Sequence, residues 1–267
     1  MVPGYDHDLT FALQLADIAD AISLTRFGAA DLQVTAKPDL TPVSDADLAV
    51  ESAIRARVAV DRPDDQVVGE EFGGSAEQIQ GRRWIVDPID GTKNFVRGVP
   101  IWATLIALVD GPPGADPVVG VVSAPALARR WWAASGTGAF TRFADGPERP
   151  CRVSGVRSCA DASLSYSEPA EWQAAGRARQ FQALLDACWR TRAYGDFYSY
   201  MLLAEGAVDI AAEPELSLWD VAALVPIVTE AGGRFTAIDG QPSGGTTVSA
   251  LATNGPLHPE VVALLNG

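Results

Sequence analysis

The sequence predicts two layered halves, an α+β half followed by an α/β half. The chain has 267 residues, enough for one large domain or two small ones with apolar cores of their own. Between residues 83 and 143, strand-like runs follow one another with only short turns, which is typical of an antiparallel meander. Beyond the polar stretch ADGPERP (144–150), strands alternate with helices instead. We therefore expect one half at 1–146 and the other at 147–267.

In the first half, the spacing of apolar side chains between residues 8 and 27 predicts a helix. Ser44, with Asp47 three residues later, forms a capping-box pattern, so a second helix begins there and runs to about residue 60. A short strand at Val67 and Val68 follows. The meander is then built from the runs RWIVD, IWATLIALV, PVVGVVSAP, RRWWAAS and GAFTRF.

In the second half, strands and helices alternate along the chain. The predicted order is strand, helix, strand, helix, strand, at 162–167, 172–189, 190–195, 196–206 and 208–213. A helix from Trp219 to about Glu230 follows, and AGG after it is a C-terminal capping signal. Pro226 lies inside this helix and should kink it, because proline lacks the backbone donor. Two strands near 234–238 and 248–252 and a last helix complete the half.

Charge and composition exclude several classes of function. The formal net charge is −14, from 34 acidic and 20 basic residues, whereas nucleic-acid binding depends on neutralising phosphates with basic residues. We therefore expect no nucleic-acid partner. No apolar run approaches the ~18 residues of a membrane span, and the first residues carry no basic segment typical of a signal peptide. Three cysteines without a CxxC spacing are typical of reduced thiols, so we expect a cytoplasmic protein without a membrane partner.

The segment WIVDPIDGTKNF (84–95) holds the strongest chemical signal. Asp87 leaves the end of an apolar strand, and Asp90 follows across a proline turn. Two carboxylates this close repel each other unless a cation lies between them. Together with Glu70, at the end of the preceding strand, they could hold a pair of Mg²⁺ ions about 3.5–4 Å apart, the spacing of two-metal phosphatases.

The glycine turn after these acids adds donors, since the backbone amides of Gly91 and Thr92 would bond a phosphate. Two alternatives stay open at this level. Acids beside proline and glycine are often only solvated turn residues, and acids in a first helical turn, such as Asp45 and Asp220, often only stabilise the helix. Haloacid-dehalogenase-type phosphatases use Asp-x-Asp-Gly-Thr with a covalent aspartate. Here two residues separate the acids, which would misplace the second one.

Four motifs together resemble the inositol monophosphatase family. KPDLTPVSDAD resembles its N-terminal motif, VGEEF its first metal motif, WIVDPIDGTKNFVRGVP its signature and SLWDVAALVPIVTEAGG its C-terminal motif. Their order and spacing match the family over nearly the whole chain. The resemblance implies an αβαβα sandwich with the site between its halves. It also implies a homodimer that hydrolyses a small-molecule phosphate monoester with Mg²⁺.

The resemblance implies two main metal positions that share ligands. All the ligands would be carboxylates except one backbone carbonyl. For the first ion they would be Glu70, Asp87 and the carbonyl of Ile89, and for the second Asp87, Asp90 and Asp220.

Three residues would serve catalysis under the same resemblance. Thr92 would hydrogen-bond the attacking water and would be oriented by Asp45. Asp45, together with Glu70, would also reach a third, weaker ion through water, so the site would hold two to three Mg²⁺ ions. Because water activated by a metal can attack directly, no histidine is needed.

The segment RTRAYGDFYSYMLLAEGAVDIAAEPE (190–215) bears on the substrate, because it resembles the histidinol-phosphate phosphatases within the family more than the inositol enzymes. Asp196, at a helix start, and Glu213, at a strand end, would face the site and suit an ammonium beside the phosphate ester. Arg192 could contact imidazole or phosphate. The alternative is that Asp196 only caps its helix. The expected substrate-binding set is Asp90, Gly91, Thr92, Arg192, Asp196, Glu213 and Asp220.

Other functions stay open. An inositol-1-phosphate or broad sugar-phosphate phosphatase is the second interpretation, followed by a fructose-1,6-bisphosphate or 3′-phosphoadenosine phosphatase. A protein that only binds a partner is a further alternative, because a fold can be recruited for interactions. The complete set of expected metal ligands argues against that alternative.

Overall fold

The structure, a computed structural model, describes residues 4–38, 40–74, 81–242 and 247–267, so Asp39 of the N-terminal motif lies outside it. Two large sheets alternate with layers of helices, which confirms the predicted layered sandwich. Within the described ranges, no helix is both long and apolar enough to cross a membrane.

The first half begins with two helices and a small hairpin: α1 (Asp6–Arg26), β1 (Val34–Ala36), β2 (Pro42–Ser44) and α2 (Asp45–Asp61). Its large sheet contains seven strands in chain order: β3 (Gln66–Gly69), β4 (Gly81–Asp90), β5 (Ala103–Gly111), β6 (Pro117–Ala124), β7 (Arg129–Ala134), β8 (Gly138–Phe143) and β9 (Arg149–Pro150). A short helix, α3 (Thr92–Arg97), lies between β4 and β5. The capping box at the start of α2 is present, as predicted from Ser44 and Asp47.

The strands from β4 to β9 pair antiparallel with their neighbours, which confirms the predicted meander. Among the described strands of this sheet, only β3 and β4 run parallel, so they end at the same edge of the sheet. Strand β9 still pairs with β8, so the first sheet extends to residue 150, past the expected boundary at residue 146. The division into halves at that residue stays a prediction.

The second half has a five-stranded sheet with helices on both sides. Its elements are β10 (Ser163–Ser165), α4 (Pro169–Ala174), α5 (Ala178–Ala187), β11 (Arg190–Arg192), α6 (Asp196–Ala204), β12 (Ile210–Ser217), α7 (Leu218–Ala222), α8 (Leu224–Glu230), β13 (Arg234–Thr236), β14 (Thr247–Thr253) and α9 (His258–Asn266). The strand order is β11-β10-β12-β14-β13. Strand β10 pairs parallel with β11 and β12, whereas the pairs made by β14 are antiparallel.

Two predicted helices are each divided in the structure. The helix expected at 172–189 becomes α4 and α5, separated at Gly176, which adopts φ +71. The helix expected from Trp219 becomes α7 and α8. Helix α7 ends at Ala222, four residues before Pro226, because proline has no N–H to bond that carbonyl. The junction between α7 and α8 packs closely against β6, because a Cβ at Gly120 would lie 2.3 Å from the carbonyl oxygen of Ala223.

The apolar clusters define five layers. Helices α1 and α2 pack on the outer face of the first sheet, through residues such as Phe11 and Trp84. Helices α6, α7 and α8 lie between the sheets, where Tyr200 contributes to the largest cluster. Helices α4, α5 and α9 cover the outer face of the second sheet. Because β4 is covered on both faces, its apolar run is nearly continuous, as expected of a strand buried on both sides.

Candidate active site

The parallel pair of β3 and β4 brings the first two predicted ligands together. Gly69 pairs with Val86, so Glu70 follows directly beside Asp87, and the amide of Glu70 donates to the carbonyl of Val86 at 3.2 Å. In a regular strand, residues three apart would point to opposite faces. The pairing of β4 with β5 shifts between Asp87 and Asp90, and such a bulge re-aims side chains, so both acids face one end of the sheet.

The third aspartate of the cluster comes from the second half. Asp220 lies in the first turn of α7, directly after β12, and its Oδ2 accepts the amide of Ser217 at 2.7 Å. This capping interaction fixes the carboxylate at the junction of the two halves. One carboxylate oxygen each of Asp87, Asp90 and Asp220 lies within 4.8 Å of the others. Three of the predicted metal ligands therefore form one cluster.

Burial and mutual repulsion make this cluster electrostatically costly. Asp87 is only 2 % exposed, and burial together with the charges of Glu70 and Asp90 raises its pKa well above the ordinary value. Burial, with Asp196 and Asp220, likewise raises the pKa of Asp90. Burial raises the pKa of Asp220 to about 7, with a further contribution from Glu70.

The donor set fits hard divalent cations. The cluster offers only oxygen atoms, and among the described residues that line the adjoining cavity there is no arginine. Lys37 bonds Glu70 at 2.6 Å and Glu71 at 2.8 Å. Buried carboxylates without a counterion are strongly unfavourable, and Mg²⁺ prefers oxygen ligands. The cluster can therefore hold a metal ion.

The structure corrects the prediction for Asp45. Both of its oxygens accept from Arg26, at 3.3 Å and 2.8 Å, so Asp45 neither orients Thr92 nor faces the cluster. The carboxylate beside Thr92 belongs to Asp47, with 3.4 Å between Thr92 Oγ1 and Asp47 Oδ1. Side chains two residues apart on a helix point about 200° away from each other, so Asp45 and Asp47 face opposite sides of α2.

Asp47 was predicted only as a capping residue. Its Oδ2 accepts the amide of Ser44 at 2.8 Å, which leaves Oδ1 to face Thr92. Burial raises the pKa of Asp47 to about 6, although the bonds from Ser44 act to lower it. Thr92 Oγ1 also lies 3.1 Å from the carbonyl oxygen of Ile89, whose amide donates to Asp87 at 2.9 Å. One capping acid thus supports both the helix and the site.

A cavity of about 460 Å³ opens next to the cluster. The predicted residues that line it are Glu70, Asp90, Gly91, Thr92, Asp196, Glu213 and Asp220. At Gly91, which adopts φ +82, an added Cβ would lie 3.1 Å from the carbonyl oxygen of Ile101 and 3.2 Å from Asp196 Oδ2. Glycine is therefore required where the chain turns into the cavity.

Asp196 and Glu213 form the wall next to the cluster. Asp196 is the first residue of α6, after the N-cap Gly195, where its negative charge also suits the helix dipole. Its Oδ2 accepts from Asn94 at 3.3 Å, and the following amide, of Phe197, donates to Asp90 at 2.8 Å. Glu213 is 3 % exposed, and its Oε1 has no hydrogen-bond partner of good geometry in the part of the chain that the structure describes, although the Ser167 and Tyr200 hydroxyls act to lower its pKa. Burial, with the charge of Asp196, raises the pKa of Glu213 to about 8.

Arg192 is a second correction. Its side chain is exposed, its guanidinium donates to the carbonyl of the neighbouring Thr191 at 2.7 Å, and it is not among the described residues lining the cavity. The structure thus gives no support for Arg192 as a substrate contact within one chain. Sequence reasoning missed other residues that line the cavity, among them Lys37, Glu168, Glu171, Tyr200 and Trp219. The sequence carried a signal for three of them, because Lys37, Tyr200 and Trp219 lie in the segments that resemble the family.

A five-layered α/β sandwich with a carboxylate cluster beside a polar cavity fits a phosphomonoesterase, and the family and relatives given next support this class. The chain belongs to the inositol monophosphatase family, whose profile matches residues 5–266.

Individual relatives cover the chain almost completely. It is 59% identical over 262 residues to a histidinol-phosphatase of Mycobacterium tuberculosis, an alignment that spans 97% of this chain and 98% of the relative. It is 54% identical to a histidinol-phosphatase of Streptomyces coelicolor, over 99% of both chains. Among solved structures, an inositol monophosphatase from Zymomonas mobilis superposes with a TM-score of 0.85, at 30% identity and 99% coverage of both chains.

Proposed function

We propose that this protein is a Mg²⁺-dependent phosphatase that hydrolyses L-histidinol phosphate to L-histidinol and phosphate. Two relatives with 59% and 54% identity over nearly the whole chain are histidinol-phosphatases, which supports this substrate. The structural observation that carries the proposal is Glu213, a buried carboxylate without a cationic partner, which stands beside Asp196 in the cavity next to the metal cluster.

The metal ligands are proposed as follows. Glu70, Asp87 and the carbonyl of Ile89 would hold one Mg²⁺ ion, and Asp87, Asp90 and Asp220 would hold a second. When bound, these ions supply positive charge that stabilises the transition state and lowers the pKa of water in the site towards neutrality. A third ion would have to depend on Glu70, because Arg26 occupies both oxygens of Asp45.

Thr92 and Asp47 would position the attacking water. A hydroxyl that donates its one proton to Asp47 Oδ1 presents its lone pairs to the cavity, where they accept a hydrogen bond from water. Asp47 would thereby fix the direction of the Thr92 hydroxyl. The backbone amides of Gly91 and Thr92 would donate to the phosphoryl oxygens, where negative charge develops.

Asp196 and Glu213 would bind the ammonium of the substrate. In L-histidinol phosphate the ammonium is on the carbon next to the ester CH₂, so it must lie close to the phosphate. An ammonium would satisfy the orphan oxygen of Glu213 with a charge-assisted hydrogen bond. A neutral polyol such as inositol would leave two buried carboxylates without a cation, which is unfavourable. This difference favours the amino alcohol.

A substrate panel tests the proposal. Phosphate release would be measured with Mg²⁺ on L-histidinol phosphate, inositol 1-phosphate and glycerol 2-phosphate. We expect kcat/KM for L-histidinol phosphate to exceed the other two values by at least about 10-fold, the effect of one charge-assisted hydrogen bond. Equal or higher values for inositol 1-phosphate would contradict the proposed substrate.

Two further expectations from the sequence, a homodimer and a cytoplasmic location, stay predictions. Sedimentation velocity would test the first, with a single species of twice the 28.1 kDa chain mass expected. Cell fractionation would test the second.

A further inference from the structure

Glu171 is an acid of the cavity that has no role in the proposed function. Glu171 lies in α4, which packs beside β12, and its side chain lines the cavity that also contains Glu213. Its Oε2 is buried, and no described residue gives it a hydrogen bond. The cavity thus presents two carboxylates, each with a buried oxygen that lacks a partner.

The cations that the chain supplies to this cavity are already engaged. Lys37 and Lys93 are the two lysines of the sequence, and both line the cavity. Lys37 is held by Glu70 and Glu71, and Lys93 pairs with Glu168 at 3.1 Å on the exposed rim. Because no arginine lines the cavity within the described ranges, its inner acids depend on a ligand for positive charge.

The contacts of these acids place them between the metal cluster and the rim. Asp196 lies at the cluster, because the next amide, of Phe197, donates to Asp90 at 2.8 Å. Glu171 lies in α4, three residues after Glu168, which pairs with Lys93 on the exposed rim. Glu171 is therefore nearer to the rim than Asp196.

The atoms of L-histidinol phosphate follow the same order. Its phosphate ester is followed by a carbon with the ammonium, and one CH₂ further by the imidazole ring. With the phosphate at the metals and the ammonium at Asp196 and Glu213, the ring would extend outward along the cavity. Leu216 and Trp219 line the same cavity and offer apolar surface to a flat ring.

We propose that Glu171 is a specificity residue that accepts a hydrogen bond from the ring N–H of the substrate. The outer cavity would therefore select phosphate esters with two separated N–H-bearing groups, an ammonium near the ester and a heteroaromatic ring beyond it. This inference rests on the proposed function and adds the residue that recognises the ring.

The test compares E171Q with a matched control, E215Q. Glu215 is exposed, lies outside the described cavity lining, and carries the same charge near Glu171. With Mg²⁺, E171Q should lose about 10- to 150-fold in kcat/KM on L-histidinol phosphate, the range for one charged hydrogen bond. On 2-aminoethyl phosphate, which has the ammonium but no ring, it should stay within about 2-fold of the wild type. E215Q should stay within about 2-fold on both substrates.

A second arm changes the substrate instead of the protein, so it does not depend on the folding of E171Q. Wild-type enzyme should prefer L-histidinol phosphate over its ring N-methylated analogues, which lack the N–H, by about 10-fold or more. In E171Q this preference should become clearly smaller, because the side-chain amide offers the ring N–H only an uncharged acceptor.

The outcomes separate the two proposals. If the wild type does not prefer L-histidinol phosphate over glycerol 2-phosphate, the proposed function fails. If it does, but E171Q or ring methylation changes nothing, only the role of Glu171 is overturned. Equal losses by E171Q on both substrates would also overturn it, because they would indicate a structural role.

Discussion

The two ends of strand β4 make opposite use of carboxylates. At its beginning, Arg82 bonds Asp8 at 2.6 Å, Asp65 at 3.0 Å and Asp110 at 3.2 Å. At its end, Asp87 and Asp90 meet Asp220 with no arginine among the described residues of the site. One strand therefore carries two acidic clusters that differ mainly in the origin of the positive charge.

The origin of the positive charge distinguishes a structural cluster of acids from a functional one. Although burial acts to lower it, the hydrogen bonds that Arg82 donates to Asp8 and Asp65 raise its pKa. At the other end, burial raises the pKa of Asp87 well above its ordinary value. The acids that Arg82 neutralises hold the fold together, whereas Asp87, Asp90 and Asp220 mark the place for an external cation. Glu70 is intermediate, because Lys37 bonds it at 2.6 Å.

The largest expected effect comes from removing a charge at the second cluster. Asp87→Asn should lower kcat on L-histidinol phosphate by about 10³-fold or more, because both proposed ions lose a shared ligand. Without metal the variant should be at least as stable as the wild type, since one unpaired buried charge is removed. The gain in melting temperature on adding Mg²⁺ should largely disappear.

Asp65→Asn is the matched control at the first cluster. Asp65 accepts from Arg82 and from the indole of Trp84 at 2.9 Å, so its loss should lower the free energy of unfolding by about 1–3 kcal/mol. Its kcat should stay close to that of the wild type. If instead both variants lost activity equally, or both lost only stability, the comparison between the two ends would be wrong.

The next effect concerns the two acids at the start of α2. Asp47→Asn should lower kcat by about 10²-fold, the lower range for losing a group that directs proton movement. Asp45→Asn removes a pair with Arg26 and should change kcat by less than about 3-fold. Steady-state kinetics on L-histidinol phosphate would check both. A larger loss for Asp45→Asn would restore the original sequence interpretation.

A smaller effect is expected where the site meets the substrate. Asp196→Asn should lose about 10- to 150-fold in kcat/KM on L-histidinol phosphate, because one charged hydrogen bond to the ammonium is lost. Activity on glycerol 2-phosphate should change little. Glu213→Gln should behave similarly, and the double variant should lose less than the product of the two effects, because both acids would hold the same ammonium. Equal losses on both substrates would mean that Asp196 only shapes the site.

The smallest expected effect is on stability as a function of pH. The pKa of Asp220 is raised to about 7 and that of Glu213 to about 8, mainly by burial. Each folded carboxyl keeps its proton where the unfolded chain has lost it. It therefore adds stability at low pH that is lost as the pH rises through the raised pKa. The metal-free protein should thus become less stable between about pH 6.5 and 8.

Melting temperatures in EDTA at these two pH values would check this. Burial lowers the pKa of His258 to about 4, so the titration of this residue makes stability rise with pH, but only below its ordinary pKa of 6.5. It therefore does not affect stability between about pH 6.5 and 8. Excess Mg²⁺ should reverse the trend, because deprotonation improves the ligands. A stability in EDTA that rises with pH over the window would contradict the account.

Sequence patterns predicted the features of the structure that depend on residues close together in the chain. The capping box of α2, the meander and the Asp87–Asp90 turn all depend on local spacing. The choice between Asp45 and Asp47 could not be made locally, because Thr92 lies 45 residues from Asp47 along the chain. Only the rotation of α2 against α3 decides which acid faces the hydroxyl.

The outer cavity was equally beyond reach from the sequence. Glu171 lies one residue before the helix predicted at 172–189, and only the packing of α4 beside β12 brings it to Glu213. Arg192 looked suitable because it is close in sequence to Asp196, yet its side chain leaves the sheet on the exposed side. Proximity in sequence predicted which segment lies near the site. The direction of each side chain could be known only from the folded structure.

The central claim is that the end of β4 works only with an external divalent cation. The most direct measurement is phosphate release from L-histidinol phosphate by chelator-treated protein, before and after addition of Mg²⁺. We expect no detectable release in EDTA and recovery of the full rate when Mg²⁺ is returned in excess. An unchanged rate in EDTA would contradict it.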